Sequence, residues 1–259
     1  MRRIFFDIDT QHYFFDSEFL VQERRNVGYL TDYAVKERYQ IVGSVETHDF
    51  TSWSFYTNAN KSSTGQKQYK KPFCIKGTYD WLKVTDLPER TLIVPDVNFG
   101  LFSFSEQLKK PEYAFTQAFY FEKQINLAEC YCFNTWMYQQ VQQPIVDNQS
   151  SDQLEFILYG AHEGLFNWLP GLITWIDNLK SRKTDVKINI VLVKDALDIM
   201  ESKLEQHLQT TLGLKEPEEL TAWLTTNNVE LKTTVEVTGK KPNKLTKFKR
   251  GTGNVVPIT

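Results

Sequence analysis

Residues 153–179 read QLEFILYGAHEGLFNWLPGLITWIDNL, and this segment has the clearest structural pattern in the chain. Its first part is a largely apolar run, 154–159, that favours a buried β-strand and stops at Gly160. From Leu165 onward the apolar residues recur every three or four positions, which predicts one face of a helix. A buried strand followed directly by a helix is typical of a parallel sheet in an α/β protein.

The turn between this strand and this helix is the first candidate position for a site. In parallel α/β sheets, ligands bind beyond the carboxyl ends of the strands, where Ala161-His162-Glu163-Gly164 would lie. No Cys, Ser or Thr occurs between Gly160 and Ile173. The turn therefore carries no ordinary hydroxyl or thiol nucleophile.

The composition indicates one large domain in a reducing compartment. A chain of 259 residues with a net charge of -2 can bury a sizeable core, and its mixed charges argue against a dedicated nucleic-acid surface. Its apolar runs are far shorter than the roughly 20 residues that cross a bilayer, and no secretory pattern follows Met1. Three Cys cannot all pair. We therefore expect a cytoplasmic protein that makes no membrane contact.

Strand and helix patterns alternate along the rest of the chain. Strands are predicted at 3–8, 40–45, 92–95, 115–121, 154–159, 186–193 and 229–237. Helices are predicted at 17–39, 127–141, 196–211 and 217–226. With right-handed crossovers this order gives a three-layer α/β/α fold around a six-stranded, mostly parallel sheet. We expect one domain over 1–238, with an insertion at about 96–113, and a basic extended tail over 239–259.

Charged side chains follow several of these strands. Asp7 and Asp9 end the first strand. Since two buried carboxylates do not both ionise cheaply, we expect one of them to lie at the strand's end, where a site could use it. Glu46 and His48 follow the second strand at a spacing that lets both reach one small volume, although an exposed acid and a surface histidine fit equally well. Asp9, Lys123 and the 161–164 turn would converge at one edge of the sheet. There an acid can accept a proton, a lysine can stabilise charge and backbone N–H groups can hold an oxyanion.

The order of these motifs resembles the isochorismatase-like cysteine hydrolases, nicotinamidases in particular. The resemblance covers nearly the whole chain, and Lys123 is similar to the family's catalytic lysine. The other matching segments are Asp9-Thr10-Gln11 with Phe14-Phe15, Glu46-Thr47-His48 with Ser54-Phe55, and Pro72-Phe73-Cys74-Ile75-Lys76-Gly77-Thr78. The resemblance implies an isochorismatase-like, Rossmann-like fold and hydrolysis of C–N or ether bonds through a cysteine nucleophile.

Two departures from the family pattern affect the chemistry. The position of the family's nucleophilic cysteine is occupied by Phe166, whose phenyl ring cannot attack a carbonyl. The family's metal site would retain Glu46 and His48, but its later histidine positions are Ser52 and Phe73. The resemblance thus implies at most an incomplete site for a divalent ion such as Zn²⁺ or Fe²⁺, and no other cofactor.

We therefore predict a catalytically degenerate relative that keeps a small-molecule pocket or a partner surface and that forms a homo-oligomer. The expected ligand is a small planar amide or carboxylate. The predicted site has three parts. Asp9, Lys123 and Phe166 stand at the family's catalytic positions, and Glu46 and His48 form the incomplete metal site. The pocket lining is predicted to be Gln11, Phe14, Phe73, Ala161, His162 and Glu163. His207, on a late helix, is expected on the solvated face.

Two active enzymes remain as alternatives. One is an amidohydrolase that uses a non-standard nucleophile or a metal-bound water, with His162 as a general base. The other is a magnesium-dependent phosphatase of the aspartate-nucleophile type, because Asp7-Ile8-Asp9 is similar to the opening motif of that class. Gln11 stands where the phosphatase motif has a threonine.

Overall fold

The fold is a parallel sheet with helices on both faces, seen in a computed structural model that describes residues 1–45, 73–75, 78–85, 92–95, 137–148, 153–183 and 185–240. The strands are β1 (Arg2–Ile8), β2 (Gln40–Val45), β3 (Leu92–Pro95), β4 (Gln153–Gly160), β5 (Lys187–Leu197) and β6 (Val229–Lys232). Their order in the sheet is β3-β2-β1-β4-β5-β6, and every pairing between them is parallel. The predicted α/β class with a parallel sheet is confirmed.

The helices divide between the two faces. They are α1 (His12–Phe15), α2 (Val21–Lys36), α3 (Gln143–Val146), α4 (His162–Arg182), α5 (Glu201–Leu212), α6 (Pro217–Thr226) and α7 (Thr234–Thr238). Short 3₁₀ turns cover Glu18–Leu20 and Tyr79–Trp81, and a π-helical turn, Met137–Gln142, leads into α3. The strands alternate their side chains between the faces, so each face has its own apolar core.

The larger core lies under α4, α5 and α6. Phe156 of β4 packs edge-on against Trp175 of α4, with ring centroids 5.8 Å apart, and both side chains are fully buried. Leu204 and Leu208 of α5 complete the same cluster because they are four positions apart on one helix face. Full burial of each such aliphatic side chain contributes about 1.5–3 kcal/mol to folding.

The second core lies under α2 and α7. Val27, Leu30 and Ala34 recur at three- and four-residue steps on α2 and are fully buried in one cluster with residues of β1, β2, β4 and β5. From β1 and β4 come Phe5 and Tyr159, whose ring centroids are 6.5 Å apart. The predicted helix over 17–39 therefore exists, but its regular part begins at Val21, after a 3₁₀ turn capped by Ser17.

The prediction of a strand over 229–237 is wrong after Lys232. The alternation over 229–237 predicts one strand, whereas the structure has β6 only to Lys232 and then helix α7. Thr233 and Glu236 form a capping box, in which each side chain accepts the backbone N–H of the other residue. This local signal starts a helix within an alternating pattern.

The predicted helix over 196–211 begins too early. The chain remains in β5 through Leu197, and α5 begins only at Glu201. The predicted strand at 115–121, most of the predicted helix at 127–141, the insertion at 96–113 and most of the tail lie outside the described residues. Within the described part of the chain, no helix combines the length and the apolarity needed to cross a membrane.

Candidate functional site

Three strand ends meet at the carboxyl edge of the sheet. Ala161 donates its backbone N–H to the Ile8 carbonyl at 2.7 Å, and Asp198 donates its own to the Gly160 carbonyl at 3.2 Å. Gly160 has φ +123°, a conformation that side chains rarely adopt. These contacts bring together the segments that follow β1, β4 and β5. Ligands bind at this carboxyl edge in parallel α/β sheets.

Asp9 lies directly beneath the first turn of α4. It is fully buried, its φ is +46°, and its Oδ1 accepts a hydrogen bond of 2.6 Å from the Ser44 hydroxyl. Ser44 Oγ in turn accepts the Asp9 backbone N–H at 3.0 Å. A Cβ atom on Gly164 would overlap Oδ2 of Asp9, so the close approach of helix and carboxylate requires glycine at that position. A carboxylate near a helix N-terminus is also favoured by the helix dipole.

Asp7 forms an ion pair with Lys83 in the interior. Asp7 Oδ1 lies 2.6 Å from Lys83 Nζ, and neither side chain is exposed to solvent. The Asp7 carboxylate also accepts hydrogen bonds from the hydroxyls of Thr10 and Thr31. Lys83 Nζ donates further to the Ser44 carbonyl at 2.7 Å, so the pair is joined to the residue that holds Asp9. We call Asp7, Lys83, Ser44 and Asp9 the acidic network.

This network contains both of the aspartates predicted near the end of the first strand. We expected one of them at the strand's end, and Asp9 does follow Ile8, the last residue of β1. Both side chains are fully buried. Lys83 accounts for the burial of Asp7, because buried charges in proteins are normally paired with an opposite charge. Lys83 did not emerge from the sequence as a site residue. The available signal was a lysine between Leu82 and Val84, flanked on both sides by apolar residues.

The network has a titratable neighbour in Tyr159, and this predicts a stability change in alkali. Burial raises the pKa of Tyr159 well above 10.0, and the nearby Asp7 charge raises it further. The unfolded chain therefore loses this proton first. The stability that the protonated, buried Tyr159 contributes to the folded chain is complete below about pH 10. It declines as the pH rises from there towards the pKa that Tyr159 has in the folded state. Thermal unfolding from pH 8 to 11 should show a smaller decline for Tyr159→Phe than for the natural chain, and equal declines would contradict the assignment.

His162 begins α4 and is held by Asp198. Asp198 Oδ1 accepts the His162 backbone N–H at 2.5 Å and lies 2.8 Å from ring nitrogen Nδ1. Phe166, one turn later, is buried with its ring centroid 5.9 Å from that of His162. Glu163 is exposed, and Ala161 is fully buried. Of the predicted turn residues, the structure therefore brings His162 and Phe166 together and directs Glu163 to solvent.

The predicted aromatic pocket residues lie together at α1, the helix that follows β1. Phe73 stacks on Tyr13 with ring centroids 4.6 Å apart, and Phe14 packs against the buried cluster of Phe73, Cys74 and Ile75. Gln11 is buried and donates its side-chain N–H to the Trp81 carbonyl at 2.8 Å. Phe14 and Phe73 thus lie together, while Gln11 ties α1 to the 78–85 segment.

Three predicted positions, Lys123, Glu46 and His48, lie outside the described residues. Within the ranges that are described, no three His, Cys, Asp or Glu side chains gather in a group that could hold a metal ion. A cavity of about 400 Å³ occurs at the opposite, amino edge of the sheet. Its polar lining includes Gln153, Lys180, Lys187, Asn189 and Asn228, none of which belongs to the predicted site.

No protein-family model matches the chain, and comparison with curated proteins finds no match. Among solved structures, the pyrazinamidase of Pyrococcus horikoshii in complex with zinc aligns at 13% identity and a TM-score of 0.46, covering 90% of this chain and 99% of that one. A nicotinamidase and pyrazinamidase of Acinetobacter baumanii aligns at 11% identity and a TM-score of 0.44, covering 91% of this chain and 98% of that one. The MAR1 ribonuclease of Caenorhabditis elegans aligns at 14% identity and a TM-score of 0.38, covering 100% of this chain and 96% of that one. At these identities and TM-scores, none of the alignments assigns an activity or a residue role to this chain.

Proposed function

We propose that the chain is a catalytically degenerate relative of the isochorismatase-like cysteine hydrolases that keeps a ligand site at the carboxyl edge of its sheet. One observation carries the proposal. The chain has the buried ring of Phe166 in the first turns of α4, at the position that corresponds to the family's nucleophilic cysteine. A phenyl ring has no lone pair with which to form a covalent intermediate.

The acidic network supports the idea that the chain still has a ligand site, although the nucleophile position is occupied by phenylalanine. Asp9 keeps a left-handed backbone conformation and a close approach to Gly164. Residues held in such sparsely populated conformations cluster at functional sites. The proposed ligand is a small planar amide or carboxylate. The chain places a cluster of aromatic rings, Tyr13, Phe14 and Phe73, at the helix that follows Asp9, and aromatic rings stack on planar groups.

The phosphatase alternative finds less support. Its nucleophile would be Asp7, whose carboxylate is fully buried and contacts Lys83, Thr10 and Thr31. An attack on phosphorus from that position would first require the ion pair to break. We therefore place the amide or carboxylate ligand ahead of a phosphate ester.

Binding without turnover is the expected outcome for the natural chain. Ligand-observed NMR with nicotinamide and benzoate, with and without Zn²⁺, should show line broadening, and the same samples should show no hydrolysis of nicotinamide. Asp9→Asn should weaken the binding, whereas Asp177→Asn, which removes an exposed charge of α4, should leave it unchanged.

Two results would overturn this proposal. Amide hydrolysis by the natural chain that disappears in Asp9→Ala would identify an active enzyme. Absence of broadening for both probes, in a chain that unfolds cooperatively, would remove the ligand site.

A further inference from the structure

Two histidines face each other beside the candidate site. His162 begins α4 and His207 lies in α5, on the same face of the sheet, and their ring centroids are 5.4 Å apart with an angle of 85° between the planes. His207 is exposed, and the His162 side chain is 22% exposed. Both rings can therefore be reached from solvent. Neither the degenerate nucleophile position nor the acidic network accounts for this pair.

Asp198 determines which nitrogen of His162 carries the ring proton. A carboxylate only accepts hydrogen bonds, so the 2.8 Å contact with Nδ1 places the ring proton on Nδ1 and the lone pair on Nε2. The same oxygen also accepts the His162 backbone N–H, which fixes the ring to the end of β5. A carboxylate that orients an imidazole through its second nitrogen is the usual outer partner of a metal-binding histidine.

We propose that His162 and His207 together bind a divalent transition-metal ion of the zinc class, and that Asp198 orients the His162 ring for this purpose. A zinc ion lies about 2.0–2.1 Å from each imidazole nitrogen, so two imidazoles on a tetrahedral ion have ring centres roughly 5 Å apart. The observed 5.4 Å is close to that separation. Imidazole nitrogen suits Zn²⁺, Cu²⁺ and Ni²⁺, and water completes the coordination.

This site differs from the one that the sequence resemblance implied at Glu46 and His48. It uses other histidines, and it requires neither a retained pocket nor a lost nucleophile. The chain contains four histidines in total, so each can be replaced separately. His12 serves as the matched control because it lies in α1, where its ring packs against Tyr79 with the centroids 4.0 Å apart.

Zinc binding to the full chain tests the proposal. Calorimetric titration with ZnCl₂ at pH 7.5, with the cysteines blocked, should give one site. His207→Gln should weaken it by at least about tenfold. Asp198→Asn removes the charge of the outer partner and keeps an oxygen that can accept the His162 backbone N–H, and it should weaken binding by about 10–100-fold. His12→Gln and His48→Gln should each bind zinc as the natural chain does.

A direct readout comes from the imidazole NMR signals. Those of His162 and His207 should shift together on addition of zinc, while the signal of His12 stays in place. Unchanged affinity in His207→Gln would overturn the proposal, as would a loss of binding in His48→Gln alone. Because His207 is exposed, its replacement should leave the folded structure intact.

Discussion

Replacing Lys83 with Met is expected to lower the free energy of unfolding by about 3–5 kcal/mol, because it leaves the Asp7 carboxylate buried without its counter-charge. Both side chains are fully buried, and their charged atoms are 2.6 Å apart. The two threonine hydroxyls that also contact Asp7 reduce the loss but supply no charge. Urea unfolding followed by circular dichroism measures the difference.

The same substitution on the surface provides the control. Lys194 pairs with Glu201 at 2.7 Å, but those side chains are 30% and 53% exposed. An exposed ion pair contributes about 0–1 kcal/mol, so Lys194→Met should change stability by no more than that. Replacing both Asp7 and Lys83 by apolar residues should recover most of the loss, since no charge then remains buried. Equal effects of the two Lys→Met changes would show that the Asp7 pair is not buried.

Gly160→Ala is expected to be the most damaging glycine substitution in the described part of the chain. A Cβ atom there would overlap the Ile8 carbonyl oxygen and lie 2.7 Å from the carbonyl carbon. Both atoms belong to the backbone of the central strand β1, so neither can move without breaking sheet contacts. The unfavourable φ of +123° costs about 1–3 kcal/mol and the overpacking about 1–3 kcal/mol more.

A second glycine separates the two contributions. Gly213, at the end of α5, also has a positive φ, +69°, but a Cβ atom there would have nothing within 4 Å. Gly213→Ala should therefore cost only about 1–2 kcal/mol from backbone strain. Chemical unfolding of both variants gives the comparison. If Gly160→Ala is no worse than Gly213→Ala, the close approach of β4 to β1 is incorrect.

Elements with strong local signals could be predicted from sequence. The bounds of β2 and β3 agree with the prediction, as does α6, which has Pro217 in its first turn and a capping box between Glu216 and Glu219. The order of the elements and the parallel sheet followed from the alternation of strand and helix patterns. In these cases, residues close together in sequence contain the required information.

The acidic network could not be predicted in the same way. Asp7 and Lys83 are far apart in sequence, and a lysine among apolar residues does not indicate its partner. The contact between Asp198 and His162 likewise requires that β4 and β5 are neighbours in the sheet. The exposed setting of His207 was predicted correctly, but its approach to His162 requires the packing of α5 against the same face as α4.

The central position of β1 has a consequence for synthesis of the chain. Its register pairs Arg2 with Leu154, so one side of the first strand lacks its partner until the ribosome has added 152 further residues (154 − 2). At about 5–20 residues per second this interval is roughly 8–30 s. During that time an apolar strand edge is available to other nascent chains. The rate of translation and the supply of chaperones should therefore affect the yield of folded protein.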